Sequence, residues 1–92
     1  MRILNVKTDH IGPNAVRVDR SGPWGNPFVI GRDGTRDQVI ALYRQWLWRM
    51  ILRDVVTKER LRELQGRDLA CHCAPQRCHA EVIRSAVRWA CK

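Results

Sequence analysis

Apolar and polar residues alternate in short bursts at the start of the chain. Ile3, Leu4 and Val6 fall in RILNVKT, and AVRVDR resumes the alternation from Ala15 after the turn signal GPN. Both stretches predict short strands, expected to be neighbours in a sheet. RSGPWGNPFVIGRDG then breaks every period. With four of the six glycines and two of the four prolines, it reads as a shaped loop of the length that serves a function. Thr35 followed by Gln38 forms a capping box, after which Val39, Ile40, Tyr43, Trp46, Leu47, Met50 and Ile51 recur at helical spacing. This predicts a helix from Arg36 to Val55. Arg36, Arg44, Arg49 and Arg53 fall largely off its apolar stripe and predict a basic outer face, with Trp48 also off the stripe and expected to be exposed.

Thr57 marks a second helix start, with Leu61 and Leu64 facing inward and Gly66 as the stop. RDLACHC reads as a strand. CHAEVIRSAVRWACK reads as a last helix, with Val82, Ile83, Val87 and Ala90 apolar and Arg84, Arg88 and Lys92 in a basic row. The order strand, strand, helix, helix, strand, helix predicts an α/β fold, a small Rossmann-like sheet with helices packed on it. A strand ending at Cys71 or Cys73 and feeding a helix N-terminus places that segment where ligands gather, at the carboxyl ends of the strands.

Composition narrows the class. Ninety-two residues suffice for a single domain over residues 1–92, and 45% hydrophobic with 28% charged residues is a globular balance rather than a disordered one. Seventeen Lys and Arg against nine Asp and Glu give a formal charge of +8, which favours polyanionic partners such as nucleic acid or a phosphate-bearing ligand. Scattered arginines that only solvate the surface account for the charge equally well, since there is no compact Lys/Arg run. No apolar stretch approaches the roughly twenty residues that span a bilayer, and MRILNVKTDH lacks a secretory h-region, so a cytoplasmic location is expected. Clustered cysteines there are more often thiols, thiolates or metal ligands than disulfides.

LACHCAPQRCHAEVI concentrates three of the four cysteines and two of the three histidines in residues 71–79. One reading is tetrahedral zinc held by Cys71, Cys73, Cys78 and His79 or His72. The crowded CxC and CH spacing argues against it, because structural zinc sites pair well-separated knuckles. A second reading is a reactive thiol: Cys71 and Arg77 stand as C-x5-R, in which a strand-to-helix loop binds an anion, arginine grips phosphate and the thiolate attacks phosphorus. The absence of glycine from the loop and the loss of one N–H donor at Pro75 weigh against that chemistry. In a third reading Cys78 and His79 open the last helix, where the helix dipole attracts anions and His79 donates to a ligand or acts as acid or base, while Cys71 and Cys73 line a pocket or the core. Free cysteines are among the most buried residues, so packing competes with chemistry at each of them.

WGNPF and L-x-C-x-C-x-P-x-x-C-H, in this order, resemble the domain-of-unknown-function 4326 family of small phage and bacterial proteins. The likeness runs from Arg20 to Phe28, through Tyr43 and Trp46, to ELQGRDLACHCAPQRCHAEVI. VRVD before Arg20 stands where the family tends to have an aromatic and a glycine, and His72 stands where it often has an aromatic. The family label declares no reaction, so the resemblance implies a pairing of two motifs and leaves catalysis open.

The two motifs fit a nucleotide or nucleotide-derived ligand. Gly25-Asn26-Pro27 is a rigid turn between Trp24 and Phe28, so Trp24 and Asn26 are expected to read a base or sugar. Arg20 and Arg77 are expected to neutralise phosphate beside the helix start at Cys78, with His79 or Cys71 as the reactive group. In the structural alternative, Trp24 and Phe28 cover the end of the sheet and Asn26 only caps the turn. Two rivals of another class are a basic nucleic-acid-binding module with structural or zinc-held cysteines, whose binding falls steeply with salt, and a phage protein docking on a host protein through Trp48 or Trp89.

Overall fold

Three strands form an all-parallel sheet in the computed structural model, which describes Met1–Lys92: β1 (Ile3–Asn5), β2 (Ala15–Arg17) and β3 (Asp68–Cys71). The sheet order is β1-β3-β2, with Leu4 opposite Ala70 on one side and Val16 opposite Leu69 on the other. The expectation that β1 and β2 are neighbours is therefore corrected. The reason lies in burial: Leu69, Ala70 and Cys71 are an unbroken buried run, as a strand covered on both faces requires, whereas β1 and β2 carry Asn5 and Arg17 and suit the edges.

The helices follow the predicted order as α1 (Arg36–Leu52), α2 (Lys58–Arg62) and α3 (Ala80–Ala90), giving an α/β architecture. The Thr35 hydroxyl accepts the Gln38 N–H, and Gln38 returns its amide oxygen to the Thr35 N–H at 2.8 Å, so the capping box is complete. Thr35→Ala should cost about 1 kcal/mol, read as a lower midpoint in urea unfolding; an unchanged midpoint would remove the cap from the account. The helix ends at Leu52 rather than Val55. Asp54 turns left-handed at φ 60°, and the Val55 and Val56 amides fold back onto the Met50 carbonyl. Asp tolerates that conformation better than most residues, so the stop carries no glycine signal.

Val39, Ile40, Tyr43 and Leu47 of α1 meet a core that also holds Val18, Leu61, Leu69, Val82, Ile83 and Val87. The α3 helix packs on β3, α1 and α2. Trp48 is half-buried rather than exposed: its ring meets Trp89 edge-on at 4.9 Å between centroids, and the Lys58 ammonium lies 4.8 Å from the Trp89 ring centre. The last turns of α1 and α3 approach each other there, which a stripe computed on α1 alone does not register. Thr57 caps α2 through the Arg60 N–H, and Gly66, at φ 78°, turns the chain into β3. No helix is long and apolar enough to cross a membrane.

Candidate functional site

The carboxyl ends of β2 and β3 run into the two motif loops, and a cavity of about 420 Å³ opens between them. The glycine-rich loop contributes Arg20, Asn26, Phe28 and Ile30; the turn before α3 contributes Cys71, His72, Cys73, Arg77, Cys78 and His79. Arg36, Val39 and Ile40 of α1 close a third side, and Arg17, Asp19 and Ser21 complete the wall. The two motifs therefore meet.

Hydrogen bonds inside each loop set its shape. Arg20 donates from Nε to the Asn26 carbonyl at 3.0 Å and from Nη2 to the Phe28 carbonyl at 3.2 Å. Asn26 is buried: its Oδ1 accepts the Phe28 N–H at 2.9 Å and its Nδ2 donates to the Val39 carbonyl at 3.3 Å. The amide expected to read a ligand is thus largely committed to holding the turn. Trp24 lies in the core, where its carbonyl accepts the Tyr43 hydroxyl at 3.0 Å and its ring sits under Arg60. It does not reach the cavity. The aromatic face available there is Phe28. Gly25 also lies outside the cavity wall, but it lets the loop lie against the Asp19 and Arg20 backbone.

Asn5, at the end of β1, fixes the opposite turn by donating to the Ala74 carbonyl at 2.8 Å. Arg77 pairs with Asp37 at 2.8 Å and with Glu81 at 2.6 Å. Arg36 reaches back rather than outward, donating to the Arg77 carbonyl at 2.9 Å and to Gln76 at 2.7 Å. Arg20 and Arg36 thus line the cavity without a carboxylate partner, whereas the charge of Arg77 is already met. The sequence reading passed over Arg36 as part of the outer face of α1. The signal available for it was its place as the first helical residue, directly after the N-cap Thr35 that follows the glycine-rich loop.

His79 is buried, and its Nε2–H donates to the Val18 carbonyl. Its ring lies 4.8 Å from that of Tyr43. Burial pushes its pKa below the ordinary imidazole value, with the Val18 and Trp24 carbonyls pulling only partly the other way. It is a neutral, inward-facing imidazole. For the zinc reading the geometry is this: Cys71, Cys73, Cys78 and His79 form no single cluster, and no group of three or more Cys, His, Asp or Glu side chains is placed to hold a metal ion.

Cys71 and Cys78 do meet, with sulfurs 3.2 Å apart. The Cys78 thiol and the Cys73 and Ala74 N–H groups face the Cys71 sulfur, which lowers the Cys71 pKa against the penalty of burial, while the same contact raises that of Cys78. The contact thus favours the deprotonated form at Cys71 over that at Cys78.

Asp19 is a residue the sequence reading missed. It is buried at the cavity wall, where its carboxylate accepts from Arg17, from the Ser21 hydroxyl and N–H, and from His72 Nε2 at 2.8 Å. Arg17 first, then Ser21 and His72, hold its pKa far below the usual carboxylate range despite desolvation. A D-x-S step directly after a strand was the available signal.

A protein of Enterobacteria phage T4, "Uncharacterized 12.4 kDa protein in nrdA-td intergenic region", is 36% identical over 87 residues, covering 94% of this chain and 79% of the relative. No solved structure matches the chain. The model of the family described as "Domain of unknown function (DUF4326)" matches residues 2–89, and the chain belongs to that family.

Proposed function

We propose that the cavity binds a small phosphate-bearing ligand of nucleotide type, in a Rossmann-like arrangement with the ligand at the carboxyl ends of parallel strands. The observation that carries this reading is the pair Arg20 and Arg36, guanidiniums without carboxylate partners, lining one cavity with the apolar wall of Phe28, Ile30, Val39 and Ile40. A phosphate suits the arginines, and a base or other flat group suits Phe28. The volume is that of a small-molecule site. Arg77 orients Arg36 through its carbonyl rather than meeting the phosphate itself.

Titration calorimetry with the four ribonucleoside monophosphates, their nucleosides and inorganic phosphate tests it. At least one monophosphate should bind more tightly than its nucleoside, and Arg36→Ala should weaken it about tenfold. No binding of any monophosphate at millimolar concentration, or equal binding by wild type and Arg36→Ala, would reject the reading.

A second reading rests on Arg44, Arg49 and Arg53 of α1, which are exposed and form no ion pair. They suit a nucleic-acid backbone. Oligonucleotide affinity that falls steeply with salt and ignores Arg36→Ala would favour it over the cavity.

A further inference from the structure

We propose that Cys71 and Cys78 form a peroxide-oxidisable dithiol in the cavity wall, with Cys71 as the thiol that attacks peroxide and Cys78 as its resolving partner. This goes beyond ligand binding and does not depend on it. Three observations converge. The two sulfurs stand 3.2 Å apart, so closing to the roughly 2.05 Å of a disulfide needs a movement of about an ångström. Both residues line the cavity, which has room for a molecule as small as hydrogen peroxide. The Cys78 thiol and the backbone N–H groups of Cys73 and Ala74 face Cys71, and such donors favour its thiolate.

The chain path permits the closure. Cys71 ends β3, Cys78 lies two residues before α3, and the intervening turn touches the rest of the protein chiefly through Asn5, Arg36, the Arg77 ion pairs and the His72–Asp19 contact. The Arg36 and Arg77 contacts are polar and exposed and those of Asn5 and His72 are polar and half-buried, all easier to shift than packed core. Cys73 is half-buried nearby, and Cys91 lies at the opposite end of α3. Neither sulfur is hydrogen-bonded to a second sulfur, whereas those of Cys71 and Cys78 meet.

The chemistry balances with peroxide as the oxidant. The Cys71 thiolate attacks one peroxide oxygen; the S–O bond forms, the O–O bond breaks, and the leaving hydroxide takes up a proton to become water. Cys78 then attacks the sulfenic sulfur, forming the S–S bond as the S–O bond breaks, and the Cys78 proton leaves with the departing hydroxide as a second water. Two thiols are oxidised and one peroxide is reduced.

The sequence makes the product easy to map. Trypsin cuts after Arg67, Arg77 and Arg84, so Cys71 and Cys73 fall in Asp68–Arg77 and Cys78 in Cys78–Arg84. The native protein, treated with an equivalent of hydrogen peroxide, alkylated and digested, should yield these two peptides joined. The Cys73→Ser variant should give the same joined pair and Cys71→Ser should not. Cys78→Ser should instead accumulate a sulfenic acid on Cys71 that a cyclic dione captures, at least about tenfold faster than any adduct on Cys91. This last variant keeps the test valid if Cys71→Ser fails to fold. A joined pair that persists in Cys71→Ser, or that is absent from Cys73→Ser, would overturn the proposal, as would capture at Cys91 matching that at Cys71.

Discussion

His79→Ala is expected to cost about 3–5 kcal/mol, a large share of the stability of a chain this size. The ring fills core space against Tyr43, and its Nε2–H satisfies the Val18 carbonyl, so alanine leaves both a void and an unpaired buried acceptor. His79→Gln, which can still donate, should recover part of the loss. The pH dependence has a definite sign. Burial lowers the folded pKa of His79, so below about pH 6.5 the unfolded chain takes up a proton that the native state resists, and stability is lost as pH falls through that window. Above it, the contribution is fully present. Urea midpoints of wild type and His79→Gln between pH 8 and 5 check both points, with a shallower fall expected in the glutamine variant. An alanine variant as stable as wild type would show that the imidazole is not a core group at all. Asp19 acts in the same direction but at lower pH, since Arg17 depresses its pKa far below that of the unfolded carboxylate.

Gly25→Ala is the second change expected to act strongly, at about 2–3 kcal/mol. An alanine Cβ would stand 2.7 Å from the Arg20 Cα, 2.8 Å from the Asp19 carbonyl oxygen and 3.0 Å from the Arg20 nitrogen. All three atoms are backbone, so no side-chain rotation relieves them. The loop must move away from the chain leaving β2. Arg20, which bonds the Asn26 and Phe28 carbonyls, would move with it, so the variant should lose ligand affinity together with stability. Pro27→Ala, on the exposed side of the same turn, is the control and should change stability far less. Equal midpoints for Gly25→Ala and wild type would mean that the close approach is not maintained in solution.

The distinction between these residues was partly visible in the chain itself. His79 lies three and four residues before Val82 and Ile83, on the inner stripe of α3, so periodicity pointed inward while the Cys-His motif suggested chemistry. In the tertiary structure the ring is buried against Tyr43 and also lines the cavity wall. Trp24 and Phe28 bracket the same turn, and nothing local separates the core ring from the cavity ring. Arg77 looked free because C-x5-R suggested a role for it, yet Asp37, forty residues earlier, takes one side of its guanidinium.

The order of six elements, the caps at Thr35 and Thr57, the turn at Gly66 and the family were legible along the chain, because each depends on residues a few positions apart or on motifs read in order. Only the tertiary structure decided that β3 divides β1 from β2, that Asp19 gathers Arg17, Ser21 and His72, and that Arg36 faces the cavity. It also decided that the Cys71 sulfur meets that of Cys78. Those outcomes follow from which faces are buried against one another across long separations, and hydrophobic burial has no direction along the chain from which a local pattern could read them.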